Sequence, residues 1–252
     1  VKAGTDRGFK MCFITNGSLM TGDKMKKVID AGMHFARVSI TGYNKELYKK
    51  WMSKDWFDKV MDNTKETLDY IKQSGSSASI GSYHLIIDND KMEYEIEQYK
   101  KNWIDKLPGI KASIWKMHNW SGVYDDVQWR HNKFQKKRSC GRPFSPDLIV
   151  RAGGNDGNQG AIVPCCMVLG QDSKAVLGHL SENSLNEIWT GDKYEHLREM
   201  HRQRRFDEID YCKNCDMLYE APEALVWSNF ETSYHILTGA NGGLFDMRQY
   251  RV

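Results

Sequence analysis

The 252-residue sequence carries 36 Lys and Arg against 33 Asp and Glu, a net charge of +3, too slight to select a nucleic acid or an anionic membrane as partner. The length accommodates one large domain or a main domain with a small appendage. No apolar run reaches bilayer-spanning length, and Val1-Lys2-Ala3-Gly4 leads into no signal-peptide core, so the expected location is cytoplasmic.

Four strand-like segments alternate with helical ones along the first half. Lys10 to Thr15, K-M-C-F-I-T, is a short apolar run stopped by Asn16-Gly17 and reads as a buried strand ending in a turn. Thr21 is placed to cap a helix with Met25, Val28 and Ile29 on one face, closed by Gly32. Phe35 to Ile40 gives the next strand. Between Lys45 and Gln73, the residues Phe57, Val60, Met61, Thr64, Leu68 and Ile71 recur at helical spacing, with Gly75 as terminator. Ser79 to Ile87 reads as a third strand. Asp88 or Asp90 then caps a helix bearing Met92, Ile96, Tyr99 and Trp103, and Ile110 to Met117 is the fourth strand. Parallel neighbours need crossovers, which helices supply, so the fold class is α/β with a parallel sheet. Four strands do not close an eight-stranded barrel, which leaves an open sheet or an incomplete one.

Past Trp120 the sequence turns polar and aperiodic, as suits a linker. Asp147 to Ala152 and Ala161 to Pro164 read as a hairpin around the loop G-G-N-D-G-N-Q-G. Ser184-Leu185-Asn186-Glu187 is a capping-box pattern opening a helix through Trp189, and a further helix runs from Lys193 to Arg204. His118, Asn119 and Trp120 end the fourth strand and are candidates for touching substrate. The run His201 to Arg205 reads mainly as a solvated helix face, and the eight tryptophans as core and rim.

Five of the six cysteines, Cys140, Cys165, Cys166, Cys212 and Cys215, lie in this second region. Without a secretory signal, such clustering favours metal over disulfides. The C-x-x-C turn at Cys212 and Cys215 offers two thiolates from one side of a loop. Cys140 before the hairpin and Cys165 or Cys166 after it complete four, since a hairpin returns its end near its beginning. Adjacent residues on an extended strand face opposite ways, so one of Cys165 and Cys166 ligates and the other packs. Cys12, alone in an apolar strand, reads as a small buried hydrophobe. The residues by themselves leave zinc and an iron–sulfur cluster both open.

Read together, C-G-R-P-F-S-P-D-L-I-V (140–150), G-A-I-V-P-C-C (160–166), L-G-H-L (177–180), S-L-N-E-I-W (184–189) and C-K-N-C (212–215) resemble the SPASM/twitch-type auxiliary domain of radical S-adenosylmethionine (AdoMet) enzymes. In the first region T-N-G (15–17) and R-V-S-I-T-G (37–42) resemble the third and fourth strand endings of that family's barrel. The resemblance implies an incomplete parallel β/α (partial TIM-type) barrel over 1–122, a linker over 123–139, a SPASM/twitch-like domain over 140–218 and a C-terminal extension over 219–252. It further implies an auxiliary [4Fe–4S] cluster on Cys140, Cys165, Cys212 and Cys215, with Cys166 the alternative to Cys165, and AdoMet contacts from Thr15, Asn16, Gly17 and Ser39.

The activity so implied is AdoMet cleavage to a 5'-deoxyadenosyl radical that abstracts hydrogen from a peptide or small molecule, with flavodoxin or ferredoxin as reducing partner. The family's C-x-x-x-C-x-x-C motif, which holds the AdoMet-binding [4Fe–4S] cluster, is absent. The resemblance therefore implies that it precedes Val1 and that this chain alone is inactive. The competing expectation is a non-catalytic, zinc-stabilised binding protein on a half-barrel scaffold.

Overall fold

A computed structural model describes residues 1–86, 91–124, 139–144, 148–152, 160–168, 173–219 and 224–227. The cap expected at Asp88 or Asp90, most of the expected linker, Gly153 to Gln159 of the hairpin loop and most of the C-terminal extension lie outside them. Two compact units divide between Met117 and His118, and residues 224–227 belong with the first.

In the first unit the short helix α1 (Lys2–Thr5) precedes β1 (Met11–Thr15), α2 (Gly22–Asp30), β2 (Met33–Ile40), α3 (Lys45–Met52), α4 (Phe57–Ser74), β3 (Ser79–Ile86), α5 (Met92–Tyr99) and β4 (Lys111–Lys116). The four strands lie parallel in chain order, as the alternation of strand and helix requires. Period-two alternation sends Ala36, Val38 and Ile40, with Ile80, Ile86, Ala112 and Ile114, into one buried cluster with the helices. The register pairs Ile14 with Arg37 and Ser39 with Tyr83, which sets these residues on the opposite face. There Arg37 stacks over Tyr83 at 4.4 Å, and the Tyr83 ring meets Trp115 at 5.6 Å.

The helical spacing between Lys45 and Gln73 resolves into two helices. Ser53 takes a left-handed conformation, φ 57° and ψ 15°, which no right-handed helix continues; apolar spacing does not register such a break. Asn44 opens α3 by accepting from the Leu47 amide at 2.9 Å, and Gly75, φ 65°, closes α4. Trp103 and Tyr48 are fully enclosed beneath these helices, Trp103 meeting Phe57 at 4.7 Å. A strand absent from the sequence reading, Ala224–Trp227, pairs antiparallel with β4.

The second unit holds a small antiparallel sheet of β5 (Ile149–Arg151), β6 (Ala161–Val163) and β7 (Gly178–His179). α6 (Leu185–Thr190) opens on the full capping box, the Ser184 hydroxyl accepting from the Glu187 amide and the Glu187 carboxylate accepting from the Ser184 amide. α7 (Asp192–Arg202) follows. Apolar clusters here are small, such as Ile162, Leu177, Ile188 and Tyr194 around β6. Among the described residues no helix is long and apolar enough to cross a membrane.

Candidate metal centre and strand-end rim

Four thiols converge in the second unit. Cys140 precedes a single turn of 3-10 helix at Arg142–Phe144, and Cys165 follows β6. Cys212 and Cys215 share one tight turn, closed by the Cys215 amide donating to the Cys212 carbonyl at 2.9 Å. Each of the six pairings among Cys140, Cys165, Cys212 and Cys215 is close enough for the charge of one thiolate to raise the pKa of another. Cys166 is exposed, and its charge bears on its neighbour Cys165.

Burial pushes the Cys165 thiol up to about 11, and burial together with the Asp216 carboxylate pushes Cys215 up to about 12. Burial, then repulsion from the other cysteines, raises Cys212 well above its ordinary value. Buried thiols that resist ionisation so strongly lose that resistance to a bound cation, since ligation removes the proton. Backbone amides of Met167 and Met217 hydrogen-bond the Cys165 and Cys215 sulfurs, which prepares them as acceptors of charge. The donor set fits an all-thiolate metal centre. Among the described residues no group of three or more His, Cys, Asp or Glu side chains is arranged around a single metal ion. Thiolates around one zinc stand roughly 3.8 Å apart at a Zn–S distance of about 2.3 Å, whereas a cluster interposes several iron and sulfide atoms between its cysteines.

Asn119 holds the C-x-x-C turn from behind. Its Nδ2 donates to the Asn214 carbonyl at 2.7 Å, its Oδ1 accepts from the Asp216 amide at 3.1 Å, and its own amide donates to Asp216 Oδ2 at 3.0 Å. Asn119 and Asp216 are both almost fully buried, with His118 Nδ1 4.0 Å from the same carboxylate. His118 and Asn119, read from sequence as strand-end candidates for substrate, thus lie beyond the end of β4, and Asn119 commits its side chain to the cysteine turn. The sequence signal was present in the polar pair His118-Asn119, but nothing local indicated a partner nearly a hundred positions away.

Thr15, Asn16, Gly17 and Ser39 fall together at the C-terminal ends of the adjacent strands β1 and β2, since Thr15 is level with Val38. Thr15 Oγ1 accepts from the Gly17 amide at 3.1 Å, and Asn16 Oδ1 accepts from the Ser18 amide at 3.0 Å and the Ser18 hydroxyl at 2.8 Å. Asn63 Nδ2 donates to the Gly17 carbonyl at 2.9 Å. Gly17 has φ 76°, and a Cβ there would lie 2.8 Å from Val60 and 2.9 Å from Val38, so the turn demands glycine. Past β2, Gly42, φ 110°, donates its amide to Tyr99 Oη at 2.6 Å, which in turn donates to the Leu85 carbonyl at 3.1 Å. The rim is therefore built from short, rigidly tied turns that present backbone groups at strand ends, where sites in parallel sheets form.

Residues 157–216 match the SPASM family, described as an iron–sulfur cluster-binding domain; the span includes Cys165, Cys166, Cys212 and Cys215 and begins after Cys140. The chain is similar to the S-adenosyl-L-methionine-dependent 2-deoxy-scyllo-inosamine dehydrogenase of Niallia circulans, 33% identical over 112 residues, which cover 44% of this chain and 40% of that one. It is also 26% identical over 102 residues to an uncharacterized protein of Methanocaldococcus jannaschii, covering 40% of this chain and 34% of the relative. The chain thus spans well under half the length of these curated relatives. Among solved structures it is similar to BtrN in complex with AdoMet and 2-DOIA, at 16% identity and a TM-score of 0.31 over 82% of this chain and 92% of that one. BtrN in an open conformation matches at 16% identity and a TM-score of 0.29, over 84% and 95%.

Proposed function

From the premise that this chain fits a radical AdoMet enzyme with a SPASM iron–sulfur domain, we propose that it carries the AdoMet-contacting strand ends and the auxiliary cluster of an enzyme that abstracts hydrogen from its substrate. The observation that carries the reading is the convergence of Cys140, Cys165, Cys212 and Cys215, each near enough to repel the charge of the others, three of them inside the matched residues 157–216. These four would hold one [4Fe–4S] cluster, which supplies one-electron chemistry when bound. The exposed Cys166 would stay outside it. The 140–218 region is then the auxiliary domain and the four parallel strands part of an incomplete barrel. In that barrel Thr15, Asn16, Gly17 and Ser39 would contact AdoMet, their tied turns fixing its position.

The full protein would bind AdoMet on a second [4Fe–4S] cluster, draw electrons from a flavodoxin or ferredoxin and work in the cytoplasm. The Niallia circulans relative acts on an amino-cyclitol by its name, which favours dehydrogenation of a sugar-like small molecule over modification of a peptide. The C-x-x-x-C-x-x-C trio is absent from these 252 residues, so this chain alone would not cleave AdoMet.

Anaerobic reconstitution tests both statements. The expected result is about four iron and four sulfide per chain, as one such cluster contains, and no 5'-deoxyadenosine after dithionite and AdoMet. Zinc filling the site in aerobic and anaerobic preparations alike would replace this reading with that of a zinc-stabilised scaffold.

A further inference from the structure

His201 sits in the last turn of α7, only 1% exposed, and joins two cysteine-bearing segments. Its Nδ1 lies 2.9 Å from Ser139 Oγ and its Nε2 3.8 Å from Cys212 Sγ. Ser139 immediately precedes Cys140, and its Oγ also takes the Gly141 amide at 3.0 Å. Phe206 meets the imidazole edge-on at 5.2 Å and fixes its plane.

The proton inventory of this chain of contacts has a direction. A backbone amide only donates, so Ser139 Oγ accepts from Gly141. A ligating Cys212 thiolate has no proton to give, so the ring must donate to it from Nε2, and the serine's one proton then goes to Nδ1. A neutral imidazole that accepts at Nδ1 carries its own proton on Nε2, and that nitrogen faces the Cys212 sulfur. Every group is satisfied by one tautomer, running Gly141 to Ser139 to His201 to Cys212.

We infer that His201 is a positioning residue of the cysteine centre: its Nε2–H donates to the Cys212 sulfur, sets the spacing between the Cys140 and Cys212 segments, and raises the reduction potential of the cluster bound there. The inference rests on the iron–sulfur reading above. A donor to a ligating sulfur withdraws electron density from it, and the reduced cluster, richer by one electron, gains more from this than the oxidised one. At 1% exposure the ring is closed off from bulk solvent. A buried histidine that merely fills space would affect folding and leave the potential unchanged.

The test uses the full chain, reconstituted anaerobically, with iron and sulfide counted before the midpoint potential is measured by EPR-monitored titration. The wild type must first hold iron and sulfide; zinc in their place overturns the iron–sulfur reading and this inference with it. His201→Leu is expected to lower the potential while His201→Gln, which keeps an N–H donor, returns it part of the way toward wild type. A loaded His201→Leu protein with the wild-type potential overturns the inference. Should His201→Leu fail to fold, Ser139→Ala removes the group that orients the ring and leaves the imidazole itself in place. It is expected to shift the potential downward by less, and an unchanged potential in a loaded Ser139→Ala protein overturns the inference equally.

Discussion

The two units hold themselves together by different means. The first buries long apolar strands under long helices, with Trp103, Tyr48, Ile80 and Ile114 at or near zero exposure in one continuous cluster. The second divides its apolar residues among several small clusters, and one of them is composed partly of the cysteines themselves, Cys215 with Cys140 and Cys212 against Phe206 and Leu218. Small cores supply little stability by themselves, so under the proposed function thiol ligation would carry in the second unit the weight that hydrophobic burial carries in the first. Substitutions that disturb one unit are therefore expected to leave the other standing.

The largest expected effect is the removal of a thiol. Cys165→Ala, Cys212→Ala or Cys215→Ala should reduce bound iron and sulfide to background and open residues 140–218 to protease, with melting of the first unit unchanged. Cys166→Ala should keep its iron and its resistance. Loss of iron from Cys166→Ala with retention in Cys165→Ala would reverse the choice between these neighbours.

Next comes acid sensitivity of the first unit. His84 is fully buried against Tyr99 at 4.6 Å and accepts or donates at 2.9 Å to Ser82, and burial pushes its pKa down to about 3. The folded ring stays neutral where the unfolded one binds a proton. Its contribution is thus fully present above about pH 6.5 and is lost as pH falls toward 3, by up to roughly 5 kcal/mol. Urea unfolding followed by fluorescence across that window should show the slope, and His84→Phe should flatten it. A comparable but pH-independent loss of about 3–5 kcal/mol is expected for Trp103→Ala, which removes the largest fully enclosed side chain among the described residues. The smallest effect sharpens the contrast: Asn44→Ala removes one cap hydrogen bond and should cost about 1 kcal/mol in the first unit alone.

How much was legible in the sequence follows from the range of the forces involved. The four parallel strands were readable because each is a short apolar run bracketed by turn residues, and the crossover helices leave few alternatives. The capping box at Ser184 was readable for the same reason, being written within four residues. The break at Ser53 was not, since a single left-handed residue leaves the apolar spacing on both sides intact. The strand Ala224–Trp227 was missed because its partner is β4, more than a hundred residues earlier. The cysteines announced themselves by spacing, but His201 was concealed in H-R-Q-R-R, a run whose charges look solvated. The structure turns that first residue inward beside Cys212 and leaves Arg204 and Arg205 exposed.

The strand Ala224–Trp227 makes residues 118–221 an insertion between two hydrogen-bonded neighbours of one sheet, β4 and that strand. Both ends of the excursion are pinned a strand's width apart. Closing such a loop costs entropy that grows only with the logarithm of its length, about 0.6 kcal/mol for each doubling. The sheet is therefore nearly indifferent to how much chain is spliced in at this point. A cassette of quite different size could occupy the position without unfolding its host, while β4 keeps a covered edge instead of offering its unpaired backbone to another molecule.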